Sequence, residues 1–337
     1  MKKIFVTGGA GYIGSHCIVK LLEEGYIPFI YDDFSNSSPE VLSRIQKITG
    51  EKVGYFKGDI RDYENLTRKL QYFTPDAVIH FAGKKSVSES VTNPILYYSV
   101  NVGGSISLLN AMENCGVRNL IFSSTATVYG NAKNEPYSEV DPVSPINNYG
   151  KSKLIAENIF RETAKAHKNW KFLILRYFNP VGAHPSGLLG EDPSGIPANL
   201  MPYITQVAIG KRKELRVFGG GYETRDGTGA RDYIHIQDLA SGHLAALKSL
   251  GKIEDGFDIF NLGTGNNTTV LELVKAFEKV NNVQIPFEIV EPRAGDSAIC
   301  YAKVDKASKI LNWKAEYSVE DMCKDAWNWQ QSNPNGY

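Results

Sequence analysis

Short apolar runs alternate with longer stretches of helical spacing through the first half of the chain. Residues 4–7, 27–31, 53–57, 77–81, 120–123 and 172–176 are rich in β-branched and aromatic side chains, and their length and composition suit strands. Between them apolar residues recur three and four apart, as Cys17, Ile18, Leu21 and Leu22 do, which puts them on one face of a helix. Strand followed by helix at this rhythm predicts an α/β fold with a Rossmann-type, doubly wound parallel sheet.

The rhythm stops after Arg176. Residues 177–233 are crowded with Pro180, Pro185, Pro193, Pro197, Pro202 and the glycines at 219–221. A connection that long needs structure of its own, so it is expected to build a smaller lobe over the sheet edge. The run 258–262 reads as a strand again. The expected organisation is therefore a first domain over residues 1–176, rejoined at about 234–262, with 177–233 and 263–337 forming the C-terminal lobe. Val319, Met322, Ala326 and Trp329 trace one apolar face of a last helix.

Composition narrows the class. The 337 residues are 42% hydrophobic and 22% charged, an ordinary globular balance, and Lys+Arg (37) equals Asp+Glu (37). Zero net charge argues against a broad nucleic-acid or anionic-membrane surface. After Lys2 and Lys3 the apolar run Ile4-Phe5-Val6 is too short for a secretory leader, and no stretch approaches the ~18 apolar residues that span a bilayer. Cys17, Cys115, Cys300 and Cys323 form no CxxC, and the histidines form no HExxH. No metal site is expected, and the thiols are read as reduced, in a cytoplasmic protein.

Chemistry begins where the first strand ends. Thr7-Gly8-Gly9-Ala10-Gly11-Tyr12-Ile13-Gly14 contains Gly8, Gly11 and Gly14 as G-x-x-G-x-x-G. Glycine serves a sharp turn, close approach of backbone to a pyrophosphate, and tight helix-on-strand packing, with the helix N–H groups aimed at the phosphates. The second strand runs out at Asp32, near the spacing at which an acid meets the adenosine ribose. With Asp33 beside it a 2′-phosphate would be repelled, so NAD is favoured over NADP. Asp59-Ile60 and Phe81-Ala82-Gly83 end two further strands on the same edge.

Tyr149-Gly150-Lys151-Ser152-Lys153 holds Y-x-x-x-K, which puts Tyr149 and Lys153 on one helical face. A free phenol, with a pKa of about 10, is a poor base at neutral pH. An adjacent ammonium and a cofactor's positive ring would favour the phenolate, and bringing it near neutrality is worth ~4 kcal/mol. The hydroxyls of Ser123-Ser124-Thr125 stand at another strand end. Thr125 is the expected partner of a substrate oxygen, with Ser124 as its substitute.

Glycine turn, strand-end hydroxyls and YxxxK, in this order, resemble the extended short-chain dehydrogenase/reductase superfamily. Thr7 to Ser15, Tyr177-Phe178-Asn179-Pro180-Val181-Gly182-Ala183-His184-Pro185, Asn199-Leu200-Met201-Pro202, the stretch from Asp226 to His235, and Arg293-Ala294-Gly295-Asp296 resemble the UDP-glucose (UDP-galactose) 4-epimerases in particular, across essentially the whole chain. The resemblance implies reversible inversion at C4 of a UDP-hexose. Tyr149 would take the 4-hydroxyl proton, and hydride would be lent to a tightly bound NAD and returned. It also implies a homodimer formed through paired helices.

By that resemblance Gly8, Gly11, Tyr12, Ile13, Gly14, Asp32, Asp33, Asn36, Ser37, Asp59, Ile60, Phe81, Ala82, Gly83, Lys85, Tyr149, Lys153 and Phe178 would contact NAD. Thr125, Tyr149, Asn179, Asn199, Leu200, Phe218, Arg231, Tyr233, Arg293 and Asp296 would hold the UDP-sugar. Val100 replaces an asparagine that contacts NAD in some relatives, so no role passes to it. Cys300 stands where a tyrosine confines relatives to UDP-glucose and UDP-galactose. A thiol leaves room for an acetamido group, so UDP-GlcNAc and UDP-GalNAc are expected substrates too. Ala126-Thr127 stands where related 4,6-dehydratases carry an Asp-Glu pair, which argues against elimination. A non-catalytic NAD-binding sensor is the alternative, and Tyr149 with Lys153 argues against it.

Overall fold

A computed structural model describes residues 2–131, 135–292 and 297–337. In chain order the elements are β1 (Lys3–Thr7), α1 (Tyr12–Glu23), β2 (Ile27–Asp32), α2 (Glu40–Thr49), β3 (Gly54–Lys57), α3 (Tyr63–Phe73), β4 (Ala77–His80), α4 (Val87–Thr92), α5 (Pro94–Tyr97), α6 (Gly104–Asn114), β5 (Asn119–Thr125), α7 (Asn148–Ala166) and β6 (Lys171–Tyr177). There follow β7 (Asn179–Val181), α8 (Leu200–Ala208), β8 (Leu215–Phe218), β9 (Ala230–Arg231), β10 (Tyr233–His235), α9 (Ile236–Ser249), β11 (Phe257–Leu262), β12 (Thr268–Thr269), α10 (Val270–Asn281), β13 (Phe287–Val290), β14 (Ile299–Cys300) and α11 (Val319–Ser332).

Seven strands form one sheet in the order β11-β6-β5-β4-β1-β2-β3, every pair parallel. The alternation of side chains along β1 explains its two cores. Ile4 and Val6 pack with Cys17, Ile18 and Leu21 of α1 and Leu239 of α9. Phe5 faces the other way, with Leu66 and Leu70 of α3, Met112 of α6 and Phe160 of α7. Sequestering a ring such as Phe5, fully buried, contributes roughly 2–3 kcal/mol.

All seven strands expected from the pattern are present, and their ends move by a residue or two. Beyond β6 the chain builds small sheets, β10-β7, β12-β9-β14 and β13-β8, around a third core of Met201, Ile204, Leu273, Phe277, Met322 and Ala326. Thr269 and Ser318 start α10 and α11 with reciprocal capping boxes, which satisfy N–H groups at the helix starts. Ala126, Val128, Tyr129, Tyr137, Phe178 and Ala302 form a fourth cluster, drawing on both the chain just past β5 and Ala302, which lies just past β14 and bridges to Tyr137. Among the described residues no helix is long and apolar enough to cross a membrane.

Candidate active site

The glycine turn is dictated by backbone crowding. Gly8 has φ of 69°, and a Cβ there would lie 2.6 Å from the Ala82 nitrogen. A Cβ on Gly14 would lie 2.3 Å from the Gly8 carbonyl oxygen, where neither backbone can yield. Gly11 precedes α1 in extended geometry, so Tyr12, Ile13 and Gly14 present N–H groups with no helical partner. That cradle, at the positive end of a helix, fits a pyrophosphate. The Tyr12 hydroxyl points elsewhere, donating to the Gly182 carbonyl at 2.7 Å.

Asp32 closes the turn from β2. Its carboxylate accepts from the Ala10 N–H at 3.0 Å, the Phe34 N–H at 2.9 Å and the Ser37 hydroxyl at 3.0 Å. Burial nonetheless raises its pKa. A carboxylate has about four acceptor positions, so one, on Oδ2, is left to face a ribose diol. Asp33 and Asn36 are exposed beside it. Ile60 is buried, and the Asp59 carboxylate pairs with Arg61 Nε at 2.9 Å.

The floor of the site is the chain beyond β4. Phe81 and Ala82 both donate N–H to the Thr7 carbonyl, at 2.9 and 3.1 Å. A Cβ on Gly83 would sit 2.9 Å from Asn101 Oδ1 and 3.4 Å from Lys153 Nζ. Asn101, one position beyond Val100, belongs to none of the motifs. It is buried, donates to Ser152 Oγ at 2.9 Å, and exchanges hydrogen bonds with the Lys84 backbone at 2.8 and 3.1 Å. Its only signal in the sequence was an amide within an otherwise apolar and glycine-rich stretch.

Tyr149 and Lys153 occupy the first turns of α7, whose N-cap Asn147 accepts from the Gly150 N–H at 2.8 Å. Lys153 Nζ donates to the Ser123 carbonyl at 2.9 Å and lies 4.8 Å from the Phe122 ring centroid. Burial brings its ammonium down to about 8, while Glu157 opposes that shift. The Tyr149 phenol lies beside Thr125. Burial pushes its pKa up, and Thr125 opposes the rise. The expected lowering of this phenol is thus not something burial provides, because desolvation penalises a phenolate.

Ser124 corrects the sequence reading. Side chains alternate along β5, so Ser124 turns to the α7 face and donates to the buried carboxylate of Glu157. It cannot substitute for Thr125 at a substrate. Thr125 instead points into the site and donates to Thr127 Oγ1 at 3.0 Å.

The other candidates come from the small sheets. Tyr233 pairs with Asn179, and Arg231 with Cys300. Arg231 Nη1 donates to the carbonyls of Ala230 at 2.9 Å and Ala298 at 3.4 Å. Cys300, its thiol pushed up to about 12 by burial, packs against the cluster containing Ala126 and Phe178. Phe218 ends β8 and Leu200 opens α8. Asn199 Nδ2 donates to Glu191 Oε1 at 2.6 Å, and Lys85 Nζ pairs with the same oxygen at 2.7 Å. Glu191, followed by Asp192 in a Gly/Pro-rich loop, thereby joins a cofactor-side and a substrate-side candidate. Nothing local in the sequence marked it. Arg293 and Asp296 lie outside the described residues.

Comparison with known proteins shows the family and the fold. Residues 5–326 match the family model described as GDP-mannose 4,6 dehydratase. The chain resembles a solved UDP-glucose 4-epimerase from Stenotrophomonas maltophila with bound NAD and formylated UDP-arabinopyranose (46% identity, 99% of both chains, TM-score 0.97). It also resembles the enzyme from Bifidobacterium longum in complex with NAD+ and UDP (48% identity, 100% of both chains, TM-score 0.96). The human UDP-glucose 4-epimerase is 51% identical over 100% of this chain and 98% of its own length. On end-to-end identity of this order, joined to a glycine turn, a strand-end threonine and a Tyr-Lys helix in one cleft, the chain belongs to the UDP-glucose 4-epimerase family.

Proposed function

We propose that this chain interconverts UDP-glucose and UDP-galactose by inverting C4, with NAD as its resident cofactor. The observation that carries the reading is the meeting of Thr125, Tyr149 and Lys153 beside the glycine turn, in a chain half identical to known epimerases. NAD, when bound, supplies a reversible hydride acceptor. Gly8, Gly11, Tyr12, Ile13 and Gly14 cradle its pyrophosphate, and Asp32, with Asp33, Asn36 and Ser37 around it, takes the adenosine ribose. Asp59, Ile60, Phe81, Ala82, Gly83, Lys85 and Phe178 line the rest of its path.

Tyr149 removes and returns the 4-hydroxyl proton. Thr125 holds the sugar oxygen against it. The Lys153 ammonium, fixed on the Ser123 carbonyl, favours the phenolate by charge. Asn179, Asn199, Leu200, Phe218, Arg231, Tyr233, Arg293 and Asp296 hold the UDP portion; an arginine fork suits a pyrophosphate. Gripping the substrate by its nucleotide leaves the hexose free to present either face. Elimination chemistry, which the name of the matching family model would suggest, finds Ala126 and Thr127 where an acid and a base would be required. A binding-only role would leave a buried base and its cation without purpose.

Cys300 favours an added activity on UDP-GlcNAc and UDP-GalNAc, since it packs against the cluster containing Phe178 and Ala126 and a thiol is far smaller than a phenol ring. A second copy of the chain is the proposed partner. The groove between α6 and α7 exposes Ile106 and Ile155 beside Leu109 and Ile159, and paired helices would cover it. The proposed location is the cytoplasm.

The test is direct. Purified protein is incubated with UDP-galactose and the UDP-glucose formed is measured, while heat-released nucleotide is identified by mass spectrometry. Turnover with NAD present is expected. Absence of turnover, or NADP in place of NAD, would overturn the reading.

A further inference from the structure

Behind the candidate base lies a buried ion pair that the chemistry above does not use. Glu157 stands one helical turn beyond Lys153 on α7 and is fully buried; Arg176 on β6 is 1% exposed. Arg176 Nε and Nη2 reach the two Glu157 oxygens at 3.0 and 2.6 Å, a bidentate fork. The same carboxylate accepts from Ser124, the residue before Thr125. Arg176 lies 4.9 Å from the centroid of Tyr129, whose hydroxyl donates to Asn261 of β11 at 2.7 Å. One carboxylate thus ties the helix carrying Tyr149 and Lys153 to the strand carrying Thr125 and to the strand beside it.

We propose that Glu157 is a positioning residue for the site: it sets α7 in register with Thr125 and supplies the negative charge that keeps the Lys153 ammonium charged within the fold. The inference rests on the reading of Lys153 as a member of the site. A buried pair of this kind is a poor source of net stability, so a role in positioning explains its presence better than a role in stability.

The surroundings of Lys153 supply no other compensating anion in the contacts described. From β4 comes His80, which burial holds neutral by bringing its pKa down to about 3. From β5 come the Phe122 ring and the Ser123 carbonyl. Asn101 approaches across Gly83. On its own helix the charged neighbour is Glu157, whose effect on Lys153 is upward against the downward effect of burial. Facing Glu157 are Ser124 from β5 and Arg176 from β6, with Tyr129 beneath the guanidinium and Glu139 near Tyr129. Deleting the negative charge therefore moves the Lys153 midpoint down, and the ammonium is lost at a lower pH.

The experiment reads that midpoint in the holoenzyme from lysine labelled with 13C at Cε, the Lys153 signal being identified by its loss in Lys153→Arg. Glu157→Gln preserves shape and hydrogen-bonding capacity and removes charge. Its Lys153 midpoint is expected to fall by about one pH unit or more, a tenfold change in protonation. The alkaline limb of UDP-galactose turnover should fall with it. Glu157→Asp, which restores the charge, should bring the midpoint back toward the parent value. Because Glu157→Gln leaves Arg176 unpaired and can unfold the chain, the double variant Glu157→Gln/Arg176→Met is measured alongside, and the same downward direction is expected. An unmoved or raised midpoint in a folded variant overturns the proposal, even where turnover is lost. Failure of the parent protein to turn over UDP-galactose would instead count against the proposed reaction, since the midpoint is read without substrate.

Discussion

The two ends of the cleft are built by opposite means. At the cofactor end one strand, one turn and one helix are contiguous in sequence, and the other candidates stand at or just beyond the ends of β2, β3, β4 and β6 or at the start of α7. Backbone geometry dominates there: Gly8 and Gly14 are required because another backbone stands 2.6 and 2.3 Å from where a Cβ would be. At the sugar end Asn179, Asn199, Phe218, Arg231 and Cys300 arrive on separate short strands and helix starts, held by pairings two to four residues long. The first end is specified locally; the second exists only once the whole lobe has assembled.

The largest test of that contrast is Tyr149→Phe, which deletes chemistry at the boundary between the two ends. Turnover should drop at least ~100-fold, the lower range for a general base, while heat-released NAD stays at the parent level. Loss of both together would mean that the phenol holds the cofactor rather than the substrate proton.

Asp32→Ala should do the converse. It removes the acceptor for Ala10, Phe34 and Ser37. Hydrogen bonds to a charged group contribute ~1.5–3 kcal/mol, so NAD affinity should weaken by about 10- to 100-fold, and discrimination against NADP should relax. UDP affinity, measured by calorimetry, should hold. A parallel loss of UDP binding would show the ends to be coupled after all.

A smaller effect is expected in pH dependence. The Lys153 ammonium, brought down to about 8 by burial, is charged below that pH and lost above it, so turnover should decline as pH rises through about 8. In Lys153→Met the phenol, already raised by burial, loses a favourable charge and rises further. Activity at neutral pH should fall and recover toward higher pH. Superimposable profiles for the two proteins would leave Lys153 a purely structural role.

The most selective change is Cys300→Tyr. Turnover of UDP-GlcNAc should fall at least about tenfold, the scale on which steric fit separates substrates, with UDP-galactose spared. If the parent protein shows no UDP-GlcNAc turnover, the added activity is lost and the glucose–galactose reading stands.

The same contrast decides what was legible in the sequence. The strands of the large sheet could be read because each is a short apolar run flanked by helical spacing. The turn could be read because glycine spacing reports backbone crowding directly. Tyr149 and Lys153 were visible because helical periodicity alone makes them neighbours. Ser124 was misread because its orientation depends on strand phase relative to α7. Asn101 and Glu191 were missed because their roles depend on partners far along the chain, Ser152 for one and Lys85 for the other. Resemblance, rather than periodicity, supplied the substrate-side candidates.

The attachment of Cys300 has a consequence for how such a protein can change over generations. Its strand is fastened by main chain: Ile299 and Cys300 pair with Ala230 and Arg231, and the Asp232 N–H donates to the Cys300 carbonyl at 3.0 Å. Bonds of this kind are indifferent to the side chain they carry. One nucleotide change converts a cysteine codon to a tyrosine codon, so drift at this position can widen or narrow the diet of sugars while the pleat that presents it stays in place. Gly14 has no such latitude, because any side chain there strikes the Gly8 carbonyl. Selection can therefore experiment at the wall of the pocket while the cofactor turn remains fixed.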